Sequence, residues 1–181
     1  MYKICKTEQS AQRQRDLENG LMNAMLTRSY EDISIIDLCE QLQIPRKAFY
    51  RYFSSKDGAF HALLDHTLQE CSLYLSETAD TRQLLEEYFS FWLSKKTLLD
   101  AMAHSGLSGK LVERTLSEAL RDPSFTSHLF HESSILYRKN AALFIVSGMM
   151  SVIIQWHHDG CVESPQEMAA IMSDLLTSPL F

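Results

Sequence analysis

The chain predicts an all-α protein, on three observations. Its 181 residues include only six Gly and four Pro, too few to turn a many-stranded sheet. Apolar residues make up 45%, enough for a sizeable core, and recur at helical spacing nearly throughout. Ser-led starts at Ser34, Ser54-Ser55 and Ser164-Pro165 stand directly before those runs. The length allows one helical domain or a small helical head on a larger helical body, the second reading dividing the chain at 1–55 and 56–181.

Each element follows from a local signal. A first helix from Ser10 to Thr27 places Leu17, Leu21, Ala24 and Met25 on one stripe, and Arg28 to Asp32 reads as a connector, with Tyr30 plugging the seam. Ser34 caps a short second helix with Asp37 in a near capping box, burying Leu38, Cys39 and Leu42. After a break at Leu42-Gln43-Ile44, Pro45 suits the first turn of a third helix ending near Phe53. Ser54-Ser55 caps a fourth helix from Lys56 to Glu77, which joins head to body. Helices follow at 81–94, 96–105, 108–121 and 124–131. A long one from Ser134 to His158 is apolar nearly all round and must be buried on most sides; Gly160 stops it, and a last helix runs from Pro165 to about Thr177.

Charge is unevenly distributed. The net of −6 divides into +1 over residues 1–60 (nine Lys/Arg, eight Asp/Glu) and −7 over 61–181 (eight and fifteen). From Ile44 to Lys56 stand Arg46, Lys47, Arg51 and Lys56 with no acid, a focused basic patch of the kind that phosphate contacts require. On a helical wheel Arg46, Tyr50, Lys47 and Arg51 fill one arc of about 140°, while Phe49 and Phe53 lie opposite. A cationic and aromatic face backed by two phenylalanines fits a DNA major groove, where Arg and Lys can meet guanine N7 and O6; an ordinary solvated face has the same pattern.

Other chemistries find little footing. No run of about 18 apolar residues suggests a membrane span, and the polar Met1–Lys6 lacks a signal-peptide core, so the expectation is a cytoplasmic protein without membrane attachment. Cys5, Cys39, Cys71 and Cys161 are far apart and read as free thiols, Cys39 and Cys71 as core residues. His128 with His131, and His157-His158 near Cys161, form no full ligand set, so neither metal nor cofactor is expected. A Gly-rich phosphate loop, a His-Glu-x-x-His pair and a nucleophile elbow are all missing, which argues against an enzyme.

The segment Ser34-Ile35-Ile36-Asp37-Leu38-Cys39, continued by Leu42 to Lys56, resembles the helix-turn-helix head of the tetracycline-repressor (TetR) family, spanning Ser34 to Tyr52. Tyr50-x-x-Phe53-x-x-Lys56 and the run Asp57-Gly58-Ala59-Phe60 carry the likeness most strongly, and it covers about residues 10–65. The resemblance implies a homodimeric, sequence-specific regulator of transcription, a repressor on a pseudo-palindromic double-stranded operator, relieved by an unknown small-molecule effector. It implies base reading by Arg46, Lys47 and Ala48, backbone contacts from Tyr50, Tyr52 and Ser34, and a phosphate grip at Lys56, with Arg51 on the same DNA-facing arc. A co-regulator acting through a protein partner is the alternative.

Two positions depart from the family pattern. Gln43 stands where the turn usually has Gly; a left-handed Gln costs roughly 1 kcal/mol or more, so the turn is strained or differently shaped. Pro45 replaces the usual polar cap. Lys3, Lys6, Arg13 and Arg15 could add contacts, although a disordered, solubilising tail is the favoured reading of the N-terminus.

For the body, the resemblance implies a dimer interface on the last two helices: Ala141, Phe144, Gly148, Ser151, Val152 and Trp156 on one, Met168, Ile171, Met172 and Leu175 on the other. It also implies an effector pocket, with candidates Tyr88, Phe89, Trp92, Met102, His104, Phe125, Phe130 and Tyr137. Aromatic and Met stripes normally pack helices, so plain core is the favoured reading of each.

Overall fold

The computed structural model describes residues 1–75, 80–121 and 135–177. The elements are α1 (Glu8–Met25), a 3-10 turn (Tyr30–Asp32), α2 (Ile35–Gln41), α3 (Arg46–Phe49), α4 (Lys56–Tyr74), α5 (Thr81–Ser94), α6 (Lys96–His104), α7 (Ser108–Arg121), α8 (Ile135–His158) and α9 (Pro165–Thr177). No strand occurs among the described residues; one isolated antiparallel bridge joins Tyr2 to Phe53. The expected helix at 124–131, with Phe125, Phe130, His128 and His131, lies outside the described residues.

The chain divides into two compact units. One is Met1–Thr67 with Asp100–Leu107, the other Leu68–Leu99 with Ser108–Phe181; they are called head and body below. Two of the three divisions fall inside helices, α4 and α6, and the third falls between α6 and α7.

In the head, α1 buries the predicted stripe of Leu17, Leu21, Ala24 and Met25. A Cβ on Gly20 would come within 2.6 Å of the Leu42 side chain, so α1 meets the end of α2 closely and any larger residue there would have to displace the Leu42 methyls. The capping box is complete: Ser34 Oγ accepts from the Asp37 N–H (3.1 Å), and the Asp37 carboxylate accepts from the Ser34 N–H (3.3 Å). Ser55 caps α4 by accepting from the Gly58 N–H at 3.0 Å.

The turn after α2 is strained rather than reshaped. Gln43 has φ of +54°, its N–H reaches the Glu40 carbonyl, and the Ile44 N–H reaches the Cys39 carbonyl. The same reach-back closes α6 at Gly106 (φ +65°) and α8 at Gly160 (φ +90°), where glycine meets no Cβ penalty.

The N-terminal segment is ordered against the head, contrary to the disordered tail expected. The Lys3 N–H donates to the Tyr52 carbonyl (2.9 Å), and Ser54 donates twice to the Met1 carbonyl, from its N–H (3.2 Å) and its hydroxyl (2.8 Å). The Tyr2 hydroxyl donates to Asp65 at 2.7 Å, and the Tyr2 ring meets His66 edge-on. His66 in turn holds the buried Glu18 carboxylate at 2.9 Å. These partners lie some fifty to sixty positions downstream, beyond the range of any local periodicity.

In the body, α5 packs against α9 and α7 against α8. Lys139–His158 is long and apolar enough to cross a bilayer by composition, yet Ala142, Val146, Met150 and Ile153 are buried within the body. Within the single chain one face of α8 is left open: Phe144 is 74% exposed, and Gly148, Ser151 and Gln155 continue its face.

Candidate nucleic-acid interface

The helix-turn-helix presents the predicted side chains on one surface. Arg46, Lys47, Tyr50 and Arg51 are all exposed, and Phe49 and Phe53 are fully buried behind them with ring centroids 5.3 Å apart. The amphipathic design read from the wheel therefore holds. Its scaffold is shorter than the helix expected, because α3 ends at Phe49. Beyond it the Tyr50 N–H still reaches the Arg46 carbonyl, but Arg51 and Tyr52 reach back only three residues, to Ala48 and Phe49. That tightening is 3-10-like and turns the chain toward Phe53. Pro45 sits at the N-cap instead of the first helical position, its extended backbone lending its carbonyl to the Ala48 N–H at 2.8 Å.

Ala48 is half-buried and lines an open cleft of about 410 Å³ with Arg13, Asp16 and Arg51, which brings α1 to the same surface. Arg46 lies 6.0 Å from the Tyr50 ring centroid, at the limit of a cation–π contact. Ser34 is exposed at the start of α2. Two expected contact residues are placed differently. Tyr52 is only 6% exposed, packed beside Phe53 while lining the same cleft as Ala48 and Arg51, since at 100° per residue it falls opposite the exposed arc. Lys56 is held by the protein: its ammonium donates to the carbonyls of Tyr30 (2.6 Å) and Glu31 (3.4 Å) and lies over the Tyr30 ring. The Tyr30 hydroxyl donates to Asp57 at 2.6 Å, and burial, reinforced by that carboxylate, raises its pKa.

A second candidate site lies in the body, a cavity of about 130 Å³. Tyr88 and Trp92 line it, as expected, together with Leu68, Cys71, Thr115 and Met150, among others. Phe89 is buried beside it against Trp156. Met102 is buried in the head unit, His104 is exposed and Tyr137 is 59% exposed; none of the three lines the cavity. The wall residues from α4 carried no functional signal in the sequence, since they read as an ordinary apolar stripe. Burial pushes the Cys71 thiol up to about 12, with Lys95 opposing, and also raises the Tyr88 phenol.

The outer face of the last two helices is apolar. Phe144, Ile171, Leu175 and Leu176 are exposed, with Gly148 and Ser151 open and Ala141, Val152 and Met172 half-buried. Trp156 and Met168 leave the predicted interface for the core. The Trp156 indole donates to the Glu163 carbonyl at 3.2 Å and meets Phe89 edge-on.

Comparison with known proteins agrees with this architecture. Residues 80–178 match the sequence model of TetR_C_8, a transcriptional regulator C-terminal region. No curated protein matches the chain by sequence. Among solved structures, a putative TetR-family regulator from Syntrophomonas wolfei aligns over 94% of this chain and 97% of its own, at 16% identity and a TM-score of 0.64. The fatty acid degradation regulator FadR from Bacillus halodurans aligns over 98% of both chains, at 13% identity and 0.61. A TetR-family regulator from Streptomyces coelicolor aligns over 88% of this chain and 76% of its own, at 19% identity and 0.59.

Proposed function

The chain belongs to the TetR family of transcriptional regulators, and from that premise we propose that it binds duplex DNA as a homodimer and is released by a small molecule held in the body. The observation that carries the reading is the exposed set Arg46, Lys47, Tyr50 and Arg51 on a turn anchored by Phe49 and Phe53. In this reading Arg46 and Lys47 donate to base edges in the major groove, and Ala48 meets a thymine methyl. Tyr50, Arg51 and Ser34 contact phosphates, which orient the head without reading sequence. Lys56 acts through Tyr30, fixing the first turn of α4, whose free N–H groups favour a phosphate.

The exposed apolar face of α8 and α9 supports self-association. A symmetric pair of heads would read two related half-sites. For release, Leu68 and Cys71 on the cavity wall and Lys56 in the head belong to the same continuous helix, α4. A regulator of this kind works in the cytoplasm, where the DNA is.

Selection of a preferred duplex from a random pool, followed by a salt titration, tests the proposal. The expected result is one enriched, roughly palindromic sequence whose binding weakens steeply with salt. Failure to enrich any duplex, or binding indifferent to salt, would overturn it and favour a protein partner for the head.

A further inference from the structure

The body cavity contains an orphan donor. Trp92 is fully buried, and its Nε1 has no hydrogen-bond partner, the one buried side-chain nitrogen or oxygen left so among the described residues. A buried N–H without an acceptor has lost its water and gained nothing in return, so it calls for an explanation. The neighbouring Tyr88 hydroxyl donates to Met150 Sδ at 3.1 Å, and although the Trp92 N–H lies near enough to the Tyr88 oxygen to act on it electrostatically, the two are not aligned as a hydrogen bond. Tyr88 and Trp92 line the same cavity.

The remaining walls define what could accept that proton. None of the described lining residues carries a charge: burial keeps the Cys71 thiol and the Tyr88 phenol protonated at neutral pH. The Thr115 hydroxyl already donates to the Leu111 carbonyl at 2.8 Å. A carboxylate entering here would be stripped of water without a cation to receive it. The volume, about 130 Å³, is close to that of an engineered apolar cavity known to take benzene.

We propose that the cavity binds an uncharged, mainly apolar molecule of about six to nine non-hydrogen atoms whose one acceptor oxygen receives the Trp92 Nε1 proton. The assignment deepens the ligand-responsive reading above and rests on it only for the regulatory consequence.

Three probes of equal size test it by calorimetric titration of the full chain without DNA. Acetophenone carries the acceptor, α-methylstyrene replaces the carbonyl oxygen by a methylene, and benzoate adds a charge. Acetophenone should bind about five- to tenfold more tightly than α-methylstyrene. Benzoate should bind at least about tenfold more weakly than acetophenone. In Trp92→Phe the preference for acetophenone over α-methylstyrene should shrink to within about twofold. Should that variant fail to fold, indole 15N–1H spectra of the wild type provide the same reading. Acetophenone should move one tryptophan N–H and leave unmoved the Trp156 N–H, which already has the Glu163 carbonyl.

Equal affinity for acetophenone and α-methylstyrene, tighter binding of benzoate, or no binding of any probe would overturn the assignment. Acetophenone bound as expected, but without effect on affinity for the selected duplex, would leave the pocket standing and sink the ligand-responsive reading instead.

Discussion

The Lys56 ammonium lies 4.3 Å from the centroid of the Tyr30 ring while donating to the Tyr30 carbonyl at 2.6 Å. One side chain thus fastens the start of α4 to the connector that precedes α2. Lys56→Ala is expected to lower the melting temperature by several degrees, as loss of about 1–2 kcal/mol would. It should also weaken every duplex by a similar factor. Arg46→Ala is expected to leave the melting temperature unchanged and to narrow the gap between selected and random duplexes by about 1–3 kcal/mol. Scanning calorimetry and duplex titration on the same samples check both; a Lys56→Ala protein with unaltered melting would refute the clamp.

Gln43 holds a left-handed backbone that Gly106 and Gly160 adopt at the equivalent helix ends. Gln43→Gly should relieve the Cβ clash and stabilise the protein by about 1 kcal/mol, net of the greater freedom of an unfolded glycine. Urea denaturation, read as a higher midpoint with unchanged slope, measures it. An unchanged or lower midpoint would mean that the Gln43 side chain has compensating contacts.

Asp37 predicts a pH effect. Its hydrogen bonds with Ser34, aided by Arg28, hold its pKa below the ordinary value of 3.8. A depressed carboxyl pKa adds stability that is present above the unfolded value and lost as pH falls through the folded one. Asp37→Asn should therefore melt below the wild type at pH 7, and the difference should close as pH falls below the ordinary carboxyl range. Thermal melts across that window check it; a difference that persists in acid would assign the effect to geometry alone.

Gly148 offers a test of self-association, because a Cβ built there meets nothing within 4 Å in the single chain. Gly148→Ala should leave the protomer fold intact and favour α8 by up to about 1 kcal/mol. If two copies meet closely at this face, the same methyl should weaken the dimer. Phe144→Glu, at a site 74% exposed, should weaken it further without unfolding the chain. Native mass spectrometry over a dilution series reads both; dimers unaffected by either change would place the interface elsewhere.

Much of this was legible in the sequence because it rests on local rules. The Ser34–Asp37 box, the opposition of Arg46 and Phe49, and the stop at Gly160 each depend on neighbours within one or two helical turns. What was not legible depends on distance. Trp156 reads like a partner-facing aromatic until Phe89 and the Glu163 carbonyl appear beside it. Lys56 reads as a free cation because its acceptors are backbone carbonyls, which a sequence does not display. The cavity is defined by an unpaired N–H, and only coordinates reveal a missing partner.

The docked N-terminus bears on how the head is made. Tyr2 needs Phe53 and Asp65, and the Tyr30 N–H donates to the Ser105 hydroxyl at 3.2 Å. On a ribosome, the first residues must therefore wait for Asp65 to emerge, and the connector must wait for Ser105. Pairings this far apart raise contact order and slow folding. The nascent head stays unfinished until about forty residues beyond Asp65 have been made, and a fragment cut at Tyr74 would lack its last piece.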